Sequence, residues 1–122
     1  MTIPQIMAEI ARLDPSYLCT KRMVQRHSED YRLELWKRDP AVSITCNADG
    51  TNLRDFGYVC EALGEMAAYI PNLMYVVFGP FPAWHFTGHP GDGTCVDIDA
   101  STPEEAVLRA HHAHLVEKEG EK

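Results

Sequence analysis

The spacing of apolar residues changes character between residues 13 and 31, and that change dictates which layers the chain has to build. Ile3, Ile6, Met7, Ile10 and Leu13 recur at intervals of three and four, the signature of one helical face. Thr2 and Gln5 form a capping box ahead of them and Asp14-Pro15 stops the segment, so a helix is expected over residues 3–13. From Tyr31 the period is two. Tyr31, Leu33 and Leu35 alternate with Arg32, Glu34 and Trp36, and Val42, Ile44 and Cys46 alternate with Ser43 and Thr45. Lys37-Arg38-Asp39-Pro40 supplies the turn of a β-hairpin. Between helix and hairpin, Tyr17, Leu18, Met23 and Val24 fit neither period, and residues 16–30 read as an irregular or partly helical arm.

Asn47-Ala48-Asp49-Gly50 ends the second strand, and Asn52 is the expected cap of a second helix with Asp55 near its positive end. Phe56, Val59, Cys60, Leu63, Ala67 and Ile70 keep helical spacing up to Pro71. Gly57 and Gly64 fall inside that helix; each costs about 1 kcal/mol against alanine, which points to close packing there. Leu73–Phe78 reads as a strand buried on both faces, Gly79-Pro80-Phe81-Pro82 breaks it, and Ala83–Thr87 pairs back. His89-Pro90-Gly91-Asp92-Gly93 is a loop before a last strand, Thr94–Ile98. Thr102-Pro103-Glu104-Glu105 opens a third helix, which runs to about Val116 before a charged tail, 117–122. The order α-β-β-α-β-β-β-α, joined by short hairpins, predicts an α+β fold. Its 122 residues suit one domain with a mostly antiparallel sheet of four to five strands and three helices. Leu33, Leu35, Val42, Ile44, Val76, Phe78, Val96 and Ile98 are expected to pack against Phe56, Cys60 and Leu63.

Charge is distributed unevenly. Asp55–Leu108 is 54 residues without lysine or arginine; residues 1–38 carry a net +2 and residues 39–122 a net −9. An acidic surface of that kind attracts cationic partners. It also argues against nucleic acid as a direct ligand, which calls for clustered cations. Lys21, Arg22, Arg26, Arg32, Lys37 and Arg38 do cluster, but Glu29, Asp30 and Glu34 interrupt them, so they read as a mixed solvated face. No apolar run approaches the roughly 20 residues of a membrane helix, and MTIPQIMAEIARL lacks the pattern of a signal peptide, so a cytoplasmic protein without a membrane partner is expected. Cys19, Cys46, Cys60 and Cys95 stand singly, and the last three lie in apolar patterns that read as buried free thiols.

Catalytic and metal signatures are missing. His111, His112 and His114 sit late in the third helix, where they complement its negative end, and no HExxH or Cys/His pair accompanies them, so neither metal nor cofactor is expected. His85-Phe86-Thr87 resembles the HxT element of two-histidine phosphoesterases. Those enzymes need two copies, and His27-Ser28-Glu29 fails at the third position. There is no GxSxG, and Gly88, Gly91 and Gly93 are followed by no lysine of a phosphate loop. The chain therefore reads as a binding protein rather than an enzyme. A small phosphodiesterase or hydrolase using His85 and the glycine-rich loop is the runner-up.

The binding residues follow from the acidic half. Glu61 and Glu65 are four apart on one helix, away from its apolar stripe, and are expected to be exposed enough that reversal to lysine leaves the fold intact. Asp97 and Asp99 share a strand face, Glu104 and Glu105 open the last helix, and Asp92 lies in the preceding loop. Phe81, between two prolines, is the aromatic expected to be exposed beside them.

The closing segment, strand Cys95–Ile98 followed by Ala100-Ser101-Thr102-Pro103-Glu104-Glu105-Ala106-Val107-Leu108-Arg109-Ala110, resembles the end of small phage proteins with an α/β/α sandwich. The likeness covers about the last fifty residues. It implies a phage accessory product acting in the host cytoplasm, among which small acidic domains often inhibit host defence, as anti-CRISPR proteins do. Such inhibitors occupy a basic nucleic-acid channel or a protein interface of a defence or nucleic-acid-handling protein, and no catalytic residues carry over. A phage structural or regulatory protein that homodimerises through a sheet edge is a third reading.

Overall fold

Eleven residues with one apolar stripe set up the first layer. In the computed structural model, which describes the backbone of residues 1–23, 31–66, 72–78, 81–88 and 96–120 and the side chains of 1–23, 31–66 and 100–119, helix α1 spans Ile3–Leu13. Thr2 Oγ1 accepts the Gln5 amide at 3.3 Å and Gln5 Oε1 accepts the Thr2 amide at 2.8 Å, so two orphan donors are satisfied reciprocally. Ile3, Ile6, Met7 and Ile10 are buried. They pack α1 onto the first two strands of a four-stranded antiparallel sheet, β1 (Tyr17–Met23), β2 (Tyr31–Lys37), β3 (Val42–Asn47) and β4 (Arg54–Phe56), in that spatial order.

The expected hairpin is β2–β3, with Leu33 opposite Cys46 and Leu35 opposite Ile44, all four buried. Cys46 Sγ lies 3.5 Å from Met7 Sδ, and burial first, then the neighbouring Cys19, pushes its thiol from the ordinary 9.0 up to about 11. That residue is the inert core thiol its apolar neighbours suggest.

Two sequence expectations are corrected in this sheet. Residues 17–23, expected to be an irregular arm, form strand β1, paired with β2 from Tyr17–Lys37 to Met23–Tyr31. An edge strand buries little: only Tyr17 is buried, while Leu18 and Met23 are half exposed, so no alternation of hydrophobicity marks it. Residues 24–30 lie outside the described residues. The second correction is at residues 52–57. Asn52 does not cap a helix but sits in a turn at φ +56°, and Arg54–Phe56 make the short strand β4. Helix α2 begins only at Tyr58 and runs to Met66. Asp55 stands at its positive end as expected and accepts the Val59 amide at 3.0 Å. Phe56, expected in the core, is 56% exposed. Gly57 is the joint rather than a helical residue, at φ +85°, where a Cβ would stand 3.1 Å from Val42 Cγ1. The following Tyr58 is buried, edge-on to Tyr17 with ring centroids 5.9 Å apart.

A second antiparallel sheet has the order β5 (Asn72–Phe78), β6 (Phe81–Gly88), β7 (Val96–Ala100), and α3 (Pro103–Gly120) packs on β6 and β7. Thr102 caps α3 by accepting the Glu105 amide at 3.3 Å. Residues 117–120, expected in a loose tail, continue this helix, which suits the helix-forming Glu117, Lys118 and Glu119. The expected core side chains Val76, Phe78, Val96 and Ile98, and the thiol of Cys95, lie outside the described residues. Cys60, expected in the core, is exposed, and Leu63 and Val42 are only partly buried.

The fold is α+β; the described residues form seven strands in two antiparallel sheets and three helices. The chain divides into two compact units, Met1–Val59 and Cys60–Lys122, the division falling inside α2. Among the described residues, no helix is long and apolar enough to cross a membrane.

The two interior glycines predicted to cost stability therefore differ. Among the described residues outside its own helix backbone and chain neighbours, nothing lies within 4 Å of where a Gly64 Cβ would stand, against the expected close packing. Gly64→Ala should raise unfolding stability by about 1 kcal/mol. Gly57→Ala, at positive φ and against Val42, should lower it by more than about 1 kcal/mol. Urea midpoints that move in the same direction for both would contradict this placement.

Candidate functional site

The acidic residues singled out by sequence fall into three situations. Glu65 is not a free surface group: its Oε2 lies 3.0 Å from Nε2 of His111, whose side chain is fully buried in α3. Tyr58, Ala62 and Met66 form the buried stripe of α2, so Glu61 and Glu65 flank that stripe, partly buried. Glu105 Oε1 accepts from Arg109 Nε at 3.2 Å and Nη2 at 3.1 Å, one turn along α3, and Glu104 beside it is partly buried. The side chains of Phe81, Asp92, Asp97 and Asp99 lie outside the described residues. The backbone register still places Asp97 opposite Thr87 and Asp99 opposite His85, so these four share one face of β6–β7.

His111 and His114, expected to complement the helix C-terminus, are instead buried on the inner side of α3 with Val107, Leu108 and Leu115. Among the described residues, no three His, Cys, Asp or Glu side chains converge to hold a metal ion.

Sequence reasoning passed over a different surface. Because α1 covers one side of the first sheet, strand alternation sends every second residue of β1–β4 to the other side. There, Arg22 pairs in register with Arg32 and Arg32 with Asn47. In the next row Thr20, Glu34, Thr45 and Arg54 lie abreast, and in the third Leu18, Trp36 and Ser43. Phe56, two residues after Arg54 on β4, joins the same side. Arg22, Arg32, Glu34, Thr45, Arg54 and Phe56 line an open depression of about 250 Å³.

Neutral acceptors hold the central cation in place. Arg32 donates through Nη1 to Asn47 Oδ1 at 3.3 Å, and through Nη2 to Thr45 Oγ1 at 3.2 Å and the Asn52 carbonyl at 3.5 Å. Trp36 Nε1 donates to Thr20 Oγ1 at 3.3 Å, which fixes the indole. Among the described residues, none of Arg22, Arg32 and Arg54 has a carboxylate within ion-pair distance, although Glu34 shares the depression.

The buried side of the sheet offers a contrast. A larger groove of about 700 Å³ runs between α1 and the β1–β2 edge, past Ala8, Ala11, Cys19 and Leu33. The cations at its rim are engaged: Arg12 Nη2 lies 2.6 Å from Glu9 Oε1, and Lys21 Nζ sits 4.7 Å above the Tyr31 ring. At the far end of the sheet Lys37 Nζ lies 5.3 Å from the Tyr17 ring centroid.

No protein-family model matches the chain, and comparison with curated proteins and with solved structures found none similar to it.

The Glu65–His111 contact changes what a charge reversal does. Glu65→Lys removes a hydrogen-bond partner of a buried imidazole and should lower stability by about 1–3 kcal/mol. Glu104→Lys, in the first turn of α3, should cost no more than about 0.3–1 kcal/mol through the helix dipole. Equal denaturation midpoints for the two variants would show that Glu65 is not structurally committed.

Proposed function

We propose that this is a non-enzymatic binding protein whose second unit meets a basic protein surface. The observation that supports it is the partition of charge between the units. Residues 1–59 hold eight basic and eight acidic side chains, whereas residues 60–122 hold three basic and ten acidic, so the whole net charge of −7 falls on the second unit. A folded unit of one sign steers a cationic partner by its field, and carboxylates held on a rigid scaffold compete for a site that expects phosphate. With the resemblance of the closing segment to phage accessory proteins, the partner is a host defence or nucleic-acid-handling protein, and the activity is inhibition, as in anti-CRISPR proteins. Glu65 is engaged internally, so recognition rests on Glu104 first, with Glu61, Asp92, Asp97 and Asp99 as the other acidic positions of the unit. The test is affinity capture from host lysate with wild type and the Glu61→Lys/Glu104→Lys variant, at low and high salt. The variant should capture its partner with slower association, and the difference should shrink as salt rises past roughly 0.15 M, where screening cuts the field to about 8 Å. Capture indifferent to both salt and the substitutions contradicts the reading.

One observation favours the hydrolase alternative. The register that sets His85 opposite Asp99 and Thr87 opposite Asp97 brings an imidazole position beside two carboxylate positions. Hydrolysis of bis(p-nitrophenyl) phosphate by wild type, lost in His85→Ala, would establish it; the same background rate in both proteins would remove it.

A further inference from the structure

We propose that the uncovered face of β1–β4 binds a short single-stranded nucleic acid. The surface has both elements that such a ligand requires. Arg22, Arg32 and Arg54 supply cations for the phosphates, and Phe56 and Trp36 supply flat apolar surfaces for unstacked bases. Phe56 is 56% exposed in a short edge strand, where the first unit gives it no core to fill. Arg32 is held by three neutral oxygens, so its orientation is preset, and among the described residues no carboxylate pairs with it. Arg22 on β1 and Arg54 on β4 stand at opposite margins, three strand spacings or about 14 Å apart across the sheet and one row apart along it. That breadth suits an open four-stranded sheet on which two or three bases stack.

Charge at this face runs against the balance of the whole chain. Among the described residues, three arginines face one carboxylate, Glu34, within a unit of zero net charge. An acidic peptide would satisfy the guanidinium groups and leave the aromatic surfaces without a partner. A single strand uses both, because phosphate and base alternate along it. A duplex keeps its bases stacked inside and offers Phe56 nothing. This assignment is independent of the acidic second unit and of what that unit meets, and it reverses the composition-based expectation that nucleic acid is not a direct ligand.

The test is fluorescence anisotropy of a labelled 12-nucleotide oligo(dT) and oligo(U) with the full chain, set beside a duplex of equal length and polyglutamate as competitor. Wild type should bind both single strands at low salt. The slope of log K against log salt should be near −2, about −0.7 for each of three phosphate contacts. Arg22→Ala/Arg54→Ala should weaken binding by at least tenfold and reduce the slope by about 1.4. Phe56→Ala should weaken it about tenfold with the slope unchanged, since stacking carries no counterion release. Arg22, Arg54 and Phe56 are exposed, and circular dichroism should show each variant folded. Tighter binding of the duplex, displacement by polyglutamate at equal charge concentration, or an oligonucleotide affinity indifferent to these three residues would overturn the proposal, as would no binding by wild type at low salt.

Discussion

The first unit rests on the contact of one helix with one side of one sheet. Ile3, Ile6, Met7 and Ile10 lie against a surface built from Tyr17, Leu33, Leu35, Ile44 and Cys46, and burial of that surface is the main apolar gain available to the unit. Strand side chains alternate strictly, so choosing the side that α1 covers also chooses every residue on the other. Lys21 and Lys37 fall on the covered side and set their ammonium groups over Tyr31 and Tyr17. Arg22, Arg32 and Arg54 fall on the open side. Cations adjacent in sequence, such as Lys21 and Arg22, thus have opposite fates.

In the second unit the corresponding commitment is made by α3. Ala106, Val107, Leu108, Ala110, His111, His114 and Leu115 are all buried, a broad stripe that includes two imidazoles. A buried imidazole needs a hydrogen-bond partner, and Glu65 on α2 meets Nε2 of His111. Glu65 therefore belongs to the unit's internal architecture, while Glu61, one turn earlier, remains at the margin of α2. The unit's excess of acid lies elsewhere along the chain, in residues such as Glu104 and Glu117 and in the loop and strand that contain Asp92, Asp97 and Asp99.

A balanced first unit and an acidic second unit give the chain two distinct chemistries. A whole-chain net charge averages them away: the −7 describes the second unit and conceals a face of the first that is locally positive. The proposed protein partner and the proposed nucleic-acid ligand each follow from one unit considered by itself.

Short-range chemistry is legible in the amino-acid sequence alone. The capping box of Thr2 and Gln5, the β2–β3 hairpin, the buried thiol of Cys46 and the Thr102-Pro103 start of α3 all depend on groups a few residues apart. Caps, turns and hydrophobic period act at that range, and the sequence by itself determines them. Strands β1 and β4, the exposure of Phe56, the positive-φ joint at Gly57 and the engagement of Glu65 are not legible in that way. An edge strand has one neighbour and few buried residues, so its existence is decided by the hydrogen bonds that neighbour offers rather than by its own pattern. The convergence of Arg22, Arg32 and Arg54 is of the same kind. Thirty-two positions separate the first from the last, and only pairing across four strands, under a helix that occupies the opposite side, brings the three guanidinium groups onto one surface.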